Sequence, residues 1–283
     1  MPSLDYPSTV LLNTSTDSPQ NPSRWRCIGA SVMGVSHQRN ATPCQDMFGH
    51  CHLPTGELVV AVADGSGSAP LAKEGAQIVV EGALAAVTDR WACYRPGSRK
   101  AWSDLIRQVF QAAQQGVFYH AAKANQPPRA YAATLLVAII SQDLVACGLV
   151  GDCAIVVATD EGALQSLCKT QRGPYANTTY FATHHDLKQQ LDVQIWEGAA
   201  QHVALLTDGL LNLALNIDQN RPYAPFFAPL FGFVAAIGDG IEDEATAVQA
   251  LTTFLDSDRV NQRTHDDKTL VLVGQCVSRS VGQ

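Results

Sequence analysis

Aspartates that directly follow short apolar segments are the residues of this 283-residue chain whose type and position could do chemistry. Asp64 and Asp208 each end an apolar run and precede a glycine, and Asp152 follows a third run. A single Asp-Gly pair is a common turn sequence and carries little information. The recurrence is informative, because carboxylates that converge at strand ends repel one another unless cations neutralise them.

Two further acidic positions lie beside apolar segments, Asp46 after Gln45 and the Asp266-Asp267 pair before Thr269. No histidine or cysteine ligand accompanies the aspartates as a set. Hard divalent ions such as magnesium and manganese prefer oxygen ligands and fill the remaining positions with water. The pattern therefore predicts a two-metal oxygen site, of the kind that stabilises the attacking and leaving oxygens in phosphoryl chemistry.

Short apolar segments bounded by Gly, Pro, Asp or Ser are the elements that must position these acids, and they are predicted as strands. They cover residues 28–35, 58–63, 132–140, 144–150, 154–159, 163–167, 202–207 and 269–276. Longer segments with helical periodicity cover residues 70–90, 103–122 and 242–256. The strands between 132 and 167 are joined by short links, which are typical of antiparallel hairpins. The order favours antiparallel sheets covered by helices over a doubly wound nucleotide-binding fold.

Composition bounds the class of protein. Apolar residues make up 46% of the chain and charged residues 16%, which excludes a disordered protein. Residues 13–23 are polar or proline, so we expect a flexible tail over 1–24 and one globular domain over 25–283. The longest apolar run, Ala132–Ile140, is too short to span a membrane, and no signal peptide is expected. These features predict a cytoplasmic protein without a membrane partner.

Charge and cysteine content narrow the class further. A net charge of −7 argues against a nucleic-acid partner bound through a broad basic face. The eight cysteines form no CxxC pair, so they are interpreted as reduced thiols, mostly in the core. Residues 44–52 gather two cysteines and two histidines, but their alternation is typical of a strand, which disfavours a zinc site.

Six blocks of this sequence resemble, in order, the motifs of the protein phosphatase 2C family of metal-dependent serine/threonine phosphatases, most closely a bacterial branch. The resemblance extends over about residues 28–275, and each block alone is weak. The blocks are residues 34–37 (GVSH) with 45–46 (QD), 60–68 (VAVADGSGS), 133–136 (ATLL), 148–154 (GLVGDCA), 205–210 (LLTDGL) and 265–270 (HDDKTL).

The resemblance implies an α+β fold, a four-layer α-β-β-α sandwich in which helices flank two central antiparallel sheets. It also implies a binuclear manganese or magnesium centre at one end of the sandwich. By the same resemblance, Asp64 would bridge the two metals, Gly65 would offer its carbonyl, and Asp208 and Asp266 would complete one metal. A water that bridges the metals would attack phosphorus in line, without a phospho-enzyme.

The remaining positions of the family motifs match this chain less well. Asp46 would hold the other metal directly or through water, and Asp152 would hold a third, weaker metal. Gln45 stands where many members have Glu, and a neutral amide binds a cation more weakly. Ser66 stands where many eukaryotic members have a histidine proposed as general acid.

The family's phosphate-binding arginine has two candidates here, Arg39 and His37, and the alternative that neither serves stays open. Of the two, an arginine suits bidentate phosphate contact better. Residues 170–187 fall where the family carries a mobile flap. They are either a plain surface loop or a substrate-selecting segment. In the second case, Arg172, Tyr175 and Asn177 would make the selection.

The resemblance implies an enzyme that hydrolyses phosphoserine or phosphothreonine in a partner protein, with a serine/threonine kinase system as the source of substrate. Two alternatives stay open: a regulatory or binding protein that keeps the fold with weak catalysis, and a phosphatase of a small phosphorylated molecule. A P-loop is excluded because no Gly-Lys-Ser/Thr follows Gly67. A serine hydrolase is excluded because the chain has no Gly-x-Ser-x-Gly elbow.

Overall fold

The computed structural model describes residues 9–11, 25–171, 179–238 and 240–276. Its strands are β1 Thr9–Leu11, β2 Trp25–Val32, β3 Met47–His52, β4 Leu58–Ala63, β5 Leu135–Ile140, β6 Leu144–Val150, β7 Ala154–Thr159, β8 Leu164–Ser166, β9 Asp192–Glu197, β10 Ala200–Leu206, β11 Leu215–Asn216, β12 Arg221–Pro222 and β13 Lys268–Gln275. Its α-helices are α1 Val35–Asn40, α2 Ala72–Trp91, α3 Arg99–Lys123, α4 Leu187–Gln190, α5 Leu211–Ala214, α6 Ala224–Ala236, α7 Ile241–Leu255 and α8 Asp258–Asn261. Short 3-10 turns cover Pro128–Tyr131 and Asp208–Leu210.

Most of these strands form two sheets. One sheet has the order β1-β3-β4-β5-β6-β9 and the other β2-β13-β10-β7-β8, while β11 and β12 form a separate ribbon. Every pair within the two sheets is antiparallel except β1 with β3, which is parallel. Short links produce three of these pairs, β3-β4, β5-β6 and β7-β8, because a hairpin reverses the chain within a few residues.

The two sheets pack face to face and helices cover their outer faces. Between the sheets lies an apolar layer that includes Phe48, Val60, Leu136, Ile155 and Val271, each at most 1% exposed. Helices α2 and α3 pack on the sheet that contains β4, and α6 and α7 pack on the sheet that contains β10. Burial on both faces explains why the strands are continuous apolar runs rather than alternating ones. The predicted four-layer α+β sandwich is confirmed.

Several elements differ from the sequence-based expectation, and three of them are instructive. The strand predicted over 28–35 ends at Val32, because Gly34 turns the chain into α1. The edge strand β9 and the helix α6 were not predicted at all. Helix α6 has no charged residue and contains Pro229, so it lacks the polar face on which a periodicity argument depends.

The segment predicted as a tail, residues 1–24, is described only at β1, whose backbone pairs with residues 48–50 of β3. The rest of that segment lies outside the described residues, so the domain boundary at residue 25 stays a prediction. In the part of the chain that the structure covers, no helix is both long and apolar enough to cross a bilayer. All eight cysteines are free thiols, and Cys27, Cys51, Cys147, Cys153 and Cys168 are buried, as expected.

Close packing of α3 on β6 yields a stability prediction at Gly148. A Cβ at this position would lie 2.5 Å from Ile106 Cγ2 and 2.7 Å from Phe110 Cε2. We expect Gly148→Ala to lower the free energy of unfolding by about 1–3 kcal/mol, because the added methyl overpacks this contact. Urea unfolding followed by circular dichroism measures the change. Gly97→Ala is the control, since its added Cβ meets no atom within 4 Å. Equal unfolding midpoints for the two variants would contradict the packing.

Candidate metal centre

Asp64 follows β4 and is fixed by the strand beside it. Its backbone N–H donates to Thr134 Oγ1 at 2.8 Å, and the Thr134 N–H donates to the Asp64 carbonyl at 2.8 Å. The next residue, Gly65, forms an isolated bridge with Ala133. A Cβ on Gly65 would lie 2.6 Å from the Ala72 carbonyl oxygen, so only glycine fits this close approach. The end of β4 therefore presents the Asp64 carboxylate from a rigid position.

Asp152 and Asp208 meet Asp64 from two other strand ends. One ligand oxygen from each of the three carboxylates lies within 4.8 Å of those from the other two, and all three residues are half-buried. Asp152 follows Gly151, whose φ of +112° suits glycine and turns the chain after β6. Asp208 opens the 3-10 turn after β10. Since β10 belongs to the opposite sheet, the cluster lies where the ends of both sheets converge.

Asp46 joins this end of the sandwich from the segment before β3. The residue is 1% exposed, and its Oδ2 accepts hydrogen bonds from Thr207 Oγ1 at 2.7 Å and Thr269 Oγ1 at 2.8 Å. Its other oxygen, Oδ1, is buried and has no hydrogen-bond partner among the described residues. A buried carboxylate oxygen without a donor is costly, and a cation or its bound water is the partner that would satisfy it.

Asp266 lies at the exposed rim, against the turn that carries Asp208. One of its carboxylate oxygens accepts the Asp267 N–H at 2.9 Å. A Cβ on Gly209 would lie only 1.9 Å from the Asp267 carbonyl oxygen, which shows how closely the two segments pack. The Asp266 carboxylate is not one of the three that share the 4.8 Å cluster, but its charge acts on Asp208 and Asp64.

Asp267 is a residue that sequence reasoning did not single out for its own role. It is 2% exposed, and it accepts the N–H groups of Gly34 and Gln45, both at 2.7 Å. Its Oδ2 also lies 2.9 Å from His37 Nδ1. Asp267 thus holds the start of α1 and the segment before Asp46 against β13. The only sequence signal was its position beside Asp266.

Burial and mutual repulsion dominate the electrostatics of this centre. Burial, and then the charge of Asp267, raises the pKa of Asp46 to about 7. Burial, and then the charges of Asp152 and Asp266, raises the pKa of Asp208 to about 8. The pKa of Asp64 lies well above its ordinary value, first through burial and then through Asp208. Divalent cations would stabilise the ionised forms of all three carboxylates.

The other predicted site residues differ in their burial and in their hydrogen-bond partners. Gln45 is 9% exposed, and its Oε1 is buried without a hydrogen-bond partner in the described ranges. The Ser66 hydroxyl lies 3.0 Å from that of Ser68. Arg39 is exposed at the end of α1 and forms no ion pair with any residue described. The predicted flap residues lie outside the described residues; they are Arg172, Tyr175 and Asn177.

A second ligand cluster lies in the described part of the chain, at His184, His185 and Asp186. Its atoms already bond one another, because His185 Nε2 lies 2.9 Å from Asp186 Oδ2 and His184 Nδ1 accepts the Asp186 N–H. Residues 44–52 contain two cysteines and two histidines that could suit zinc, but they form no group of three metal ligands among the described residues. The aspartate cluster is therefore the stronger candidate for a metal centre.

The raised pKa values predict how the stability of the metal-free protein depends on pH. The folded-state pKa of Asp208, about 8, lies above its ordinary value of 3.8, so the folded state holds a proton that the unfolded chain releases. That contribution to stability is complete below about pH 4 and is lost as pH rises towards 8. We therefore expect wild type in chelator to lose more stability between pH 5 and 8 than Asp208→Asn does.

Urea unfolding at four pH values in this interval measures both slopes. Titrating groups elsewhere in the chain are shared by the two proteins, so their contributions cancel in the comparison. Parallel slopes for wild type and Asp208→Asn would show that the carboxylates do not repel one another as described.

Comparisons with known proteins identify the family of this chain. The family model described as protein phosphatase 2C matches residues 33–256, which stops short of Asp266. Serine/threonine-protein phosphatase 3 of Escherichia coli (strain K12) is 35% identical over 256 residues, covering 88% of this chain and 97% of that protein.

Two solved structures share the fold at lower identity. The serine/threonine phosphatase Stp1 from Staphylococcus aureus has a TM-score of 0.58 at 11% identity, with 92% of this chain and 100% of that one covered. The catalytic domain of the serine/threonine protein phosphatase PstP, in complex with two manganese ions, has a TM-score of 0.55 at 17% identity, with 88% and 97% covered. From the family match and the Escherichia coli relative, the chain belongs to the protein phosphatase 2C family of metal-dependent serine/threonine phosphatases.

Proposed function

We propose that this chain hydrolyses phosphoserine and phosphothreonine in partner proteins at the aspartate cluster. The observation that carries the proposal is the convergence of Asp64, Asp152 and Asp208 from strand ends of both sheets. Family membership supplies the activity class, and the Escherichia coli relative is itself named a serine/threonine-protein phosphatase. The substrate would be a phosphoprotein supplied by a kinase system in signalling within a bacterial cytoplasm.

The donor set fits manganese or magnesium. Its members are carboxylate oxygens and a glycine carbonyl, which are the ligands that these hard ions prefer. We assign two ions to the residues Asp46, Asp64, Gly65, Asp208 and Asp266, with Asp152 available for a third, weaker ion. The unpartnered Asp46 Oδ1 and the raised pKa of Asp208 support this assignment. When bound, such ions supply Lewis acidity towards phosphoryl oxygens.

The chain's own contribution is to hold these oxygens still. Thr207 and Thr269 fix one oxygen of Asp46 and leave the other directed elsewhere. Asp267 ties the segment before Asp46 to β13 through the Gln45 N–H. Preorganised ligands do not need to rearrange as charge develops on the substrate, which favours catalysis over mere binding. The intact set of acids therefore favours an active enzyme over a regulatory protein that has kept only the fold.

Arg39 is the better candidate of the two proposed phosphate-binding residues. His37 Nδ1 is engaged by the buried Asp267, so this side chain serves to position the loop. Arg39 is exposed and unpaired among the described residues, which leaves its guanidinium available to a phosphate. An arginine can also bind phosphate through two parallel hydrogen bonds.

Hydrolysis of an aryl phosphate by the purified protein tests the activity. We expect turnover with manganese or magnesium and none with chelator. Asp208→Ala should lower kcat/KM by about 100-fold or more, because even partners of metal ligands typically cost roughly 10- to 100-fold. The exposed Asp160→Ala is the matched control and should leave the rate unchanged. Turnover that survives both chelator and Asp208→Ala would refute the proposal.

The assignment of phosphate binding is tested with the same substrate. Arg39→Ala should lower kcat/KM by about 10- to 100-fold, the value of a charge-assisted hydrogen bond. His37→Ala should lower the melting temperature but keep kcat/KM within about threefold, because its role is positional. The exposed Arg107→Ala on α3 controls for loss of a positive charge. The reverse pattern, a large loss only in His37→Ala, would transfer the role to that residue.

A further inference from the structure

A cleft of about 700 Å³ opens beside the candidate metal centre. Three segments contribute to its lining: one carries Ser66 and Ser68, a second carries Arg129, and a third carries Phe181, His184 and His185. Twelve residues line the cleft, and none of them is an aspartate or a glutamate. None of the proposed metal ligands lines this cleft, so the hydrolysis proposed above does not account for it.

A short backbone segment links the lining of the cleft to the metal centre. Ser66 is two residues after Asp64, and its N–H donates to the carbonyl of Ala132 at 2.9 Å. The neighbouring pair, Gly65 and Ala133, forms the bridge that fixes the end of β4. A peptide whose phosphoryl group reaches Asp64 would have this cleft as a neighbouring surface, because Ser66 belongs to the cleft lining.

The cleft carries positive charge, whereas the chain as a whole is negatively charged. Arg129 is exposed and pairs with no acid among the described residues, although the chain has a net charge of −7. His185 also lines the cleft, but its Nε2 is engaged by Asp186 Oδ2 at 2.9 Å, so Arg129 is the principal cation. A positive cleft beside a cluster of carboxylates favours anionic groups on the part of the substrate that lies in it.

The segments that carry Arg129 and His184 are both held in place. Arg129 lies in the 3-10 turn after Pro127, where the Ala130 N–H donates to the Pro127 carbonyl at 2.9 Å. The segment that carries Phe181 and His184 is anchored from α3, because Gln114 Nε2 donates to the carbonyls of Ala182 and His184, both at 2.8 Å. A preformed site of this kind loses little entropy on binding and can discriminate between ligands.

We propose that this cleft is a subsite for anionic groups that flank the scissile phosphoresidue. The groups are side-chain carboxylates or a second phosphate, since both accept hydrogen bonds from a guanidinium. The subsite deepens the phosphatase function proposed above and rests on it. Arg129 is its specificity-determining residue.

Four phosphopeptides test the subsite, and each contains the same central phosphothreonine. In three of them the flanking residues are all alanine, all aspartate or all lysine. The fourth has alanine flanks with a second phosphothreonine. We expect kcat/KM to be about three- to tenfold higher for the aspartate or doubly phosphorylated peptide than for the alanine peptide, the range for exposed and charge-assisted pairs. The comparison between these two peptides shows whether carboxylate or phosphate is preferred.

Variants separate the subsite from the reaction. Arg129→Ala should abolish the preference, mainly through KM, and Arg129→Glu should reverse it towards the lysine peptide. Both variants should hydrolyse a small aryl phosphate at the wild-type rate, because that substrate does not extend into the cleft. Arg107→Ala, which removes an exposed charge from α3, should keep the preference. Equal kcat/KM for all peptides in wild type, or a preference that survives in Arg129→Ala, would overturn the proposal.

A binding measurement keeps failure of the subsite distinct from failure of the activity. Fluorescent versions of the peptides, with a phosphonate in place of the scissile phosphate, are titrated with each protein and followed by anisotropy. Tighter binding of the aspartate peptide to wild type than to Arg129→Ala supports the subsite even if no substrate is hydrolysed. Equal binding to both proteins would overturn it even if the aryl phosphate is turned over.

Discussion

Repulsion between carboxylates that are held together at the ends of two sheets is the constraint on which the rest of this structure depends. Asp64, Asp152 and Asp208 are held together, because each lies within two residues of the end of a buried strand of the sandwich. Burial, and then the charges of the neighbouring carboxylates, raises the pKa of Asp208 to about 8, so the metal-free protein keeps protons where a charged site is needed. The fold thus holds an unfavourable interaction that divalent cations would relieve, which would couple metal binding to protonation and stability.

The hydrogen bonds around the cluster determine which oxygens face the cations. Thr207 and Thr269 together occupy one oxygen of Asp46, and Asp267 accepts backbone N–H groups from segments more than 200 residues away in sequence. These contacts join both sheets at one end of the sandwich. The rigid support extends to the neighbouring cleft, whose walls are fixed by a proline-led turn and by Gln114. Chemistry and substrate selection would therefore share one preorganised edge of the molecule.

The sequence predicts the parts of this arrangement that local chemistry controls. Apolar runs that end in Asp-Gly locate Asp64 and Asp208, and short hairpin links predict the antiparallel sheets, all of which the structure contains. The role of Asp267 was not predictable, because its partners come from distant segments and its neighbour Asp266 has the same chemistry. Helix α6 was missed because tertiary packing, rather than an amphipathic pattern, stabilises a segment with no polar face. The cleft next to Ser66 was also invisible, since three separate segments form it.

The most direct test of the central claim is the location of manganese in crystals of this protein soaked in a manganese salt near pH 8. Anomalous-difference maps report the ions independently of any assay of activity. We expect two strong peaks beside Asp64, with Asp208 and Asp46 among the nearest side chains, and a weaker third peak next to Asp152. Maps with no peak at this cluster, from crystals in which the carboxylates are accessible and well ordered, would contradict it. The aspartates would then be a structural feature of the sandwich rather than a metal centre.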